Sequence, residues 1–398
     1  MELTLKERRP LIREQAKEYK KAKKKQKMII LDNFVKLTEY NRSYARTVLR
    51  NYGKVILTKN RKIIASNNHS RKSGRKRYYD EPVKKKLLEI WYIMDCICSK
   101  RLKPFLSETI CLLEKFNEIQ IDNIIKVKLN KISISTIDRL LRSERAKFKL
   151  KGKGHTKPGS LLKNQIPVRT FADWDDLKPG FFEIDLVGHD GGNIKGDFIY
   201  SFNSTDVSTG WTEVEAIKNK ARKWSFQGLL NIKNRLPFEL LGIDSDNGGE
   251  FINDHFVNFC SQSQITFTRS RSYRKNDNCF VEQKNYSVVR RAVGYSRYDT
   301  DEELKILNEL YSYLRLYINF FQPVMKLISK TRNGNKVSKK YDVAKTPYQR
   351  ILQSNDISDT VKSNLKETYK TLNPAMLKRE ITELQDKLNI LSLNKGNN

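Results

Sequence analysis

Between residues 180 and 295 the chain alternates short apolar runs with amphipathic stretches, and this alternation limits its fold more than any other feature. FFEIDLVG (181–188), DFIYSFNSTD (197–206) and WTEVEAI (211–217) read as three successive strands. NKARKWSFQGLLNIKN (219–234) reads as a helix, PFELLGIDSD (237–246) as a fourth strand and FINDHFVNFCSQS (251–263) as another helix. ITFTRS (265–270) is a fifth strand, and NCFVEQKNYSVVRRAV (278–293) a closing helix. The order βββαβαβα predicts a mixed five-stranded sheet with helices on both faces.

The flanks are helical and basic. Residues 16–27 (AKEYKKAKKKQK) carry seven lysines and one glutamate and read as a cationic helix. Beyond it, Ile30, Phe34 and Leu37 fall on one helical face, as do Tyr44, Val48 and Leu49. Asn41 is the expected N-cap of the second of these helices. Arg42, Arg46 and Arg50, at i, i+4 and i+8, line one side of it, as in a DNA-recognition helix. An ordinary helical hairpin would show the same spacing. Arg75 and Arg77 lie in a Gly/Ser/Asn-bearing basic linker that reads as an arm along a DNA backbone or minor groove, or as a solvated tether.

Leu87, Leu88, Trp91 and Met94 mark the next helical stripe. ISISTIDRLLRSERAK (132–147), with Ser133 or Ser135 as N-cap, reads as a second recognition helix exposing Arg139, Arg142, Arg145 and Lys147. After the sheet, DEELKILNELYSYLRLYINFF (301–321) is a long amphipathic helix stopped by Pro323. Residues 329–347 read as a basic loop. Leu377, Ile381, Leu384, Leu388 and Leu391 form a two-heptad seam, suited either to docking on the body or to self-association.

The length of 398 residues suits two to three domains. The expected segments are a basic helix and helix-turn-helix (1–60), a basic linker (61–81) and a second helical DNA-binding region (82–150). A linker (151–178), the sheet-containing core (179–298) and a helical C-terminal region (299–398) follow. A net charge of +32 calls for a polyanionic partner, first of all nucleic acid. No apolar run approaches the roughly 18 residues of a membrane span, and the N-terminus lacks a signal-peptide stretch, so no membrane partner is expected. Five scattered cysteines make no disulfide framework or zinc site, and read as buried thiols.

Three acidic residues stand out by position. Asp185 sits inside an apolar strand, where a carboxylate is costly unless paired or bound to metal. The fourth strand ends in Asp244-Ser245-Asp246, and residues i and i+2 share a strand face, so periodicity alone does not choose between the two aspartates. Glu282 opens the last helix. A single Asp at a strand end is ordinarily a turn or cap residue. The joint pattern, with hard oxygen donors and no thiol or imidazole at ligand spacing, suits Mg²⁺ or Mn²⁺.

SDNGGEF (245–251), followed after 35 residues by VEQKN (281–285), resembles the S/T-D-N-G-x-E-F and V-E-x-x-N motifs of the retroviral-integrase-like DDE core of bacterial insertion-sequence transposases. FFEIDLVGHDGG resembles that core's first-Asp strand, and IDRLLRSER, NFFQP and TPYQR resemble the flanking architecture. Two stretches depart from the family pattern: YRKNDNCF before the glutamate, and Gly188-His189-Asp190 after the first aspartate. The resemblance implies a multidomain protein: an N-terminal all-α helix-turn-helix region, a central α/β RNase H-like core and a helical C-terminal region. It implies Asp185, Asp246 and Glu282 as the triad, thereby choosing Asp246, with two Mg²⁺ or Mn²⁺ ions. The implied activity is cleavage of DNA ends and strand transfer by a homo-oligomer in the bacterial cytoplasm, at the nucleoid. Asn285, one turn beyond Glu282, is expected to support it or touch DNA, and Lys275 and Arg290 to belong to a basic DNA-holding rim with Arg269, Arg271, Arg274 and Arg291. A helix-turn-helix regulator without catalysis and an RNase H-like nuclease are the competing readings.

Overall fold

The computed structural model describes residues 4–58, 61–64, 78–147, 178–245, 251, 254–269 and 279–395. They divide into two compact units, 1–78 and 79–398.

The first unit holds α1 (Leu5–Lys21), α2 (Lys24–Thr38), α3 (Arg42–Asn51) and a hairpin of β1 (Val55–Thr58) and β2 (Arg61–Ile64). The expected cationic helix over 16–27 is instead broken at Ala22, whose backbone is extended. Ala16, Leu31, Phe34, Ala45 and Leu49 make the small core. This departs from the expected stripes: Leu37 is 53% and Tyr44 56% exposed. Thr38 turns inward in place of Leu37, its hydroxyl donating to the Phe34 carbonyl at 2.6 Å. The Tyr44 ring packs edge-on against Tyr40, 5.0 Å between centroids. Asn41 does cap α3, accepting from Ser43 N at 2.9 Å.

In the second unit α4 (Glu81–Ile93), α5 (Ser99–Lys115), α6 (Asn123–Lys131) and α7 (Ile134–Lys147) form a helical cluster. Ser133 caps α7, accepting from Thr136 N at 3.2 Å. These helices fold with the sheet and the C-terminal helices. The Tyr317 hydroxyl donates to the Ile93 carbonyl, and Arg101 to that of Pro323.

The sheet comprises β3 (Phe181–Gly188), β4 (Tyr200–Asp206), β5 (Thr212–Ile217), β6 (Gly242–Ser245) and β7 (Thr266–Arg269) in the order β5-β4-β3-β6-β7. β3–β4 and β4–β5 are antiparallel; β3–β6 and β6–β7 are parallel. Phe182, Glu183 and Ile184 are buried in succession, so both faces of β3 are covered. On one face α8 (Arg222–Arg235) brings Gly228 against Phe202 and Ile217, where a Cβ would stand 3.0 Å from the Ile217 side chain. On the other lies the helix of α10 (Cys279–Lys284), a π-helical segment (Asn285–Arg290) and α11 (Arg291–Val293). α9 (Asp254–Gln262) connects β6 to β7.

The outer edge of β5 is closed by α12 (Asp301–Phe321). Asn308 and Asn319, three turns apart, each bond both backbone groups of one β5 residue, Ala216 and Thr212, at 2.7–3.0 Å. An exposed strand edge is thereby satisfied rather than left open to pairing. Buried Glu213 is neutralised by Arg235 (2.8 Å) and Arg315 (2.7 Å).

The expected basic loop is instead a hairpin of β8 (Leu327–Asn333) and β9 (Lys336–Tyr341), turning at Gly334 (φ +58). α13 (Pro347–Gln353), α14 (Asp359–Thr371) and α15 (Pro374–Lys395) complete the unit. Leu377, Ile381, Leu384 and Leu388 are buried, with α15 laid along α12, so the seam docks on its own body. Among the described cysteines only Cys260 is buried; Cys98 and Cys111 are exposed, against expectation.

Candidate active site

β3 is the central strand, and Asp185 lies on it opposite Asn203 of β4. One Asp185 oxygen accepts from the Leu186 amide at 2.8 Å; the other accepts from Asn285 Nδ2 at 2.5 Å. Asn203 Nδ2 in turn donates to Asn285 Oδ1 at 2.8 Å. The two amides thus fix each other's orientation, and Asn285 presents its N–H to the carboxylate. Asn285 follows Glu282 by three residues, so the helical turn that exposes Glu282 is held at Asp185. Asn285, expected to support Glu282 or touch DNA, is engaged here by Asp185 and Asn203.

A second tie joins this helix to β3. Glu183, two residues before Asp185 and 2% exposed, accepts from the backbone N–H of both Phe280 and Val281 at 2.8 Å. These are among the first amides of a helix, which lack partners within it. Burial pushes the Glu183 carboxyl up to about 8, and the Asp244 and Glu282 carboxylates push the same way. Glu183 and Asn203 went unread in the sequence. A signal existed for Glu183: it shares a strand face and an apolar strand with Asp185.

β6 runs to Ser245, paired with Ile184. Asp246 lies outside the described residues, as do Arg75, Arg77 and Lys275. Asp244 accepts from the Thr268 hydroxyl of β7 at 2.7 Å. Among the described residues no three His, Cys, Asp or Glu side chains cluster closely enough to hold an ion. Asp185 and Glu282 supply hard anionic oxygens without sulfur or imidazole, a donor chemistry that fits a hard divalent ion.

Of the predicted DNA contacts, Arg42, Arg46 and Arg50 are exposed on α3, Arg42 paired with Asp32. Arg139 and Arg142 are exposed on α7, whereas Arg145 is half-buried, paired with Asp138 and set over Trp91. Arg290 is half-buried: it donates to the Gly188 carbonyl at 2.8 Å and that of Gly294 at 3.2 Å, tying the end of β3 to the helix. His189 is fully buried, bonded to the Ser201 hydroxyl at 2.7 Å. Burial, with Arg290 nearby, drives its imidazole down to about 3 and keeps it neutral.

The integrase core domain family matches residues 177–275. Protein y4rM of Sinorhizobium fredii, uncharacterized, is 36% identical over 335 residues, spanning 83% of this chain and 91% of the relative. Solved structures with similarity include the BIV integrase catalytic core (19% identity, 44% of this chain and 95% of that one, TM-score 0.30). The HTLV-2 integrase core with magnesium is 17% identical over 37% of this chain and 92% of that one, TM-score 0.29. Residues 177–275 carry an integrase core domain of the DDE integrase/transposase type, and the chain as a whole belongs to the same family as the Sinorhizobium protein.

Proposed function

We propose that this protein is a transposase of the bacterial insertion-sequence type, cutting DNA ends and joining the freed 3′-hydroxyls to target DNA. The observation that carries the reading is the double tie of the Glu282 helix to the Asp185 strand, through Asn285–Asp185 and through Glu183. It ties the helical turn that bears the exposed Glu282 to the strand that bears Asp185. Asp185, Asp246 and Glu282 would hold two Mg²⁺ or Mn²⁺ ions. When bound, such ions activate an attacking oxygen and stabilise the leaving oxygen of an in-line displacement. Asn285 orients the Asp185 carboxylate, and Glu183 fixes the start of the Glu282 helix.

In this reading Arg42, Arg46 and Arg50 face element-end DNA from the first unit, with Arg75 and Arg77 following the backbone. Arg139 and Arg142 add a second contact, and Lys275 belongs to the rim of the catalytic cleft. The chain works as a multimer, since two ends are joined together, and acts on chromosomal DNA in the bacterial cytoplasm.

The test is a cleavage and joining assay on duplexes copied from the flanks of the gene. With Mg²⁺ or Mn²⁺ we expect 3′-end nicking and strand transfer, both abolished by EDTA and restored by added metal. Tight, selective binding without nicking under either metal would favour a DNA-binding regulator. A chain lacking residues 1–78 should retain metal-dependent nicking but lose preference for the proper ends by about tenfold or more, the effect of removing one base-reading module. Unchanged end preference in competition with random duplex would remove DNA reading from that unit.

A further inference from the structure

The hairpin β8–β9 carries Lys330, Arg332, Lys336, Lys339 and Lys340 and no acidic residue, and every residue of both strands is exposed. Its base is built firmly. Val324 and Lys345 exchange backbone bonds at 2.9 and 3.1 Å, and Asp342 accepts from Lys326 N at 2.6 Å while pairing with Arg350 at 2.7 Å. Beyond that base the ribbon buries nothing, and a lone two-stranded hairpin is marginal in water.

Its register adds a cost. Lys330 stands directly opposite Lys339, a like-charge cross-strand pair that disfavours the hairpin on its own. Arg332, two residues from Lys330, shares that face. A polyanion laid along this face would remove the repulsion. Seven strand residues span about 20 Å, and the major groove of B-DNA, about 12 Å wide, admits a two-stranded ribbon.

We propose that β8–β9 is a DNA-docking ribbon that enters a groove of duplex DNA, with Lys330, Arg332 and Lys339 against the phosphates. This rests on the reading of the chain as a DNA-acting protein and assigns that reading a further contact.

The experiment compares the full chain with the triple variant K330Q/R332Q/K339Q in EDTA, measuring duplex affinity across a salt series. All three residues are exposed, and removing the like-charge pair should leave the melting temperature unchanged or higher. We expect the variant to bind about tenfold or more weakly, with a log K against log salt slope shallower by about two to three. Equal affinity and equal slope would overturn the ribbon. So would an acidic polypeptide, polyglutamate, binding the wild type as tightly as duplex and losing that binding in the variant. The two readings fail separately: binding unchanged with normal nicking rejects the ribbon alone, whereas ribbon-dependent binding without nicking under any metal rejects the transposase alone.

Discussion

Replacing Glu282 with Gln is expected to lower the proposed end cleavage by at least roughly a thousandfold while leaving duplex affinity within about twofold. The substitution keeps size and helix propensity and removes only the anionic oxygen. Glu282 is exposed at the start of a helix whose attachment runs through other residues: Asn285 to Asp185, and the Phe280 and Val281 amides to Glu183. In the proposed reaction that charge would help hold the dication, and a thousandfold loss corresponds to about 4 kcal/mol of barrier. Asp185→Asn should lose cleavage comparably, but with a further effect. Its new amide N–H faces or competes with Asn285 Nδ2, so the Asn203–Asn285 orientation is disturbed as well. Single-turnover nicking, with binding by anisotropy in EDTA, separates the two losses. Full activity in E282Q would sink the triad assignment.

The sheet was legible because its strands are short, apolar and punctuated by turns, and all five form in the expected order. Placement of Asp185 followed from the same pattern, since a charge in an apolar strand is conspicuous. Glu183 is no less conspicuous, yet its partner is two backbone amides almost a hundred residues away, and no side-chain spacing signals that. In the first unit the burial register slipped because Thr38 and Ala45, small residues, sit inside while Leu37 and Tyr44 do not. Periodicity reads hydrophobic size and misses that exchange. The β8–β9 hairpin was lost for the opposite reason: its composition is that of a solvated loop. The Gly334-Asn335 turn was the available signal, since glycine at its first position supplies the positive φ of a two-residue hairpin turn.

The helices α4–α7 mark another limit. Their basic faces invite a separate DNA-binding module, and Arg139 and Arg142 are exposed. Yet Tyr317 and Arg101 stitch this cluster to the C-terminal region, in one compact unit with the sheet. Contacts between segments more than two hundred residues apart leave no local trace. The same holds for Asn308 and Asn319, whose spacing reads as a polar helix face until the β5 edge is seen beside it.

Glu183→Ala should destabilise the protein by about 2–4 kcal/mol, because two buried amides lose their acceptor and a small cavity replaces the side chain. Cleavage should fall as well, since the start of the Glu282 helix is no longer held to β3. Glu183→Gln offers the amides a carbonyl oxygen of the same reach and should restore most of both losses, which a merely space-filling role would not distinguish from Glu183→Met. The pH dependence supplies an independent check. The Glu183 carboxyl titrates near 8 when folded and near its ordinary 4.5 when unfolded, so the folded state holds the proton more tightly. Its contribution to stability is then full below about pH 4.5 and is lost as the pH rises towards 8. Measured by denaturant unfolding in EDTA, the wild type should lose stability across that window relative to Glu183→Gln, which has no proton to release. Parallel curves for the two proteins would show that Glu183 is ionised in the native state. Glu183→Ala unfolding at the same denaturant concentration as wild type would show that the two amide bonds do not hold the helix.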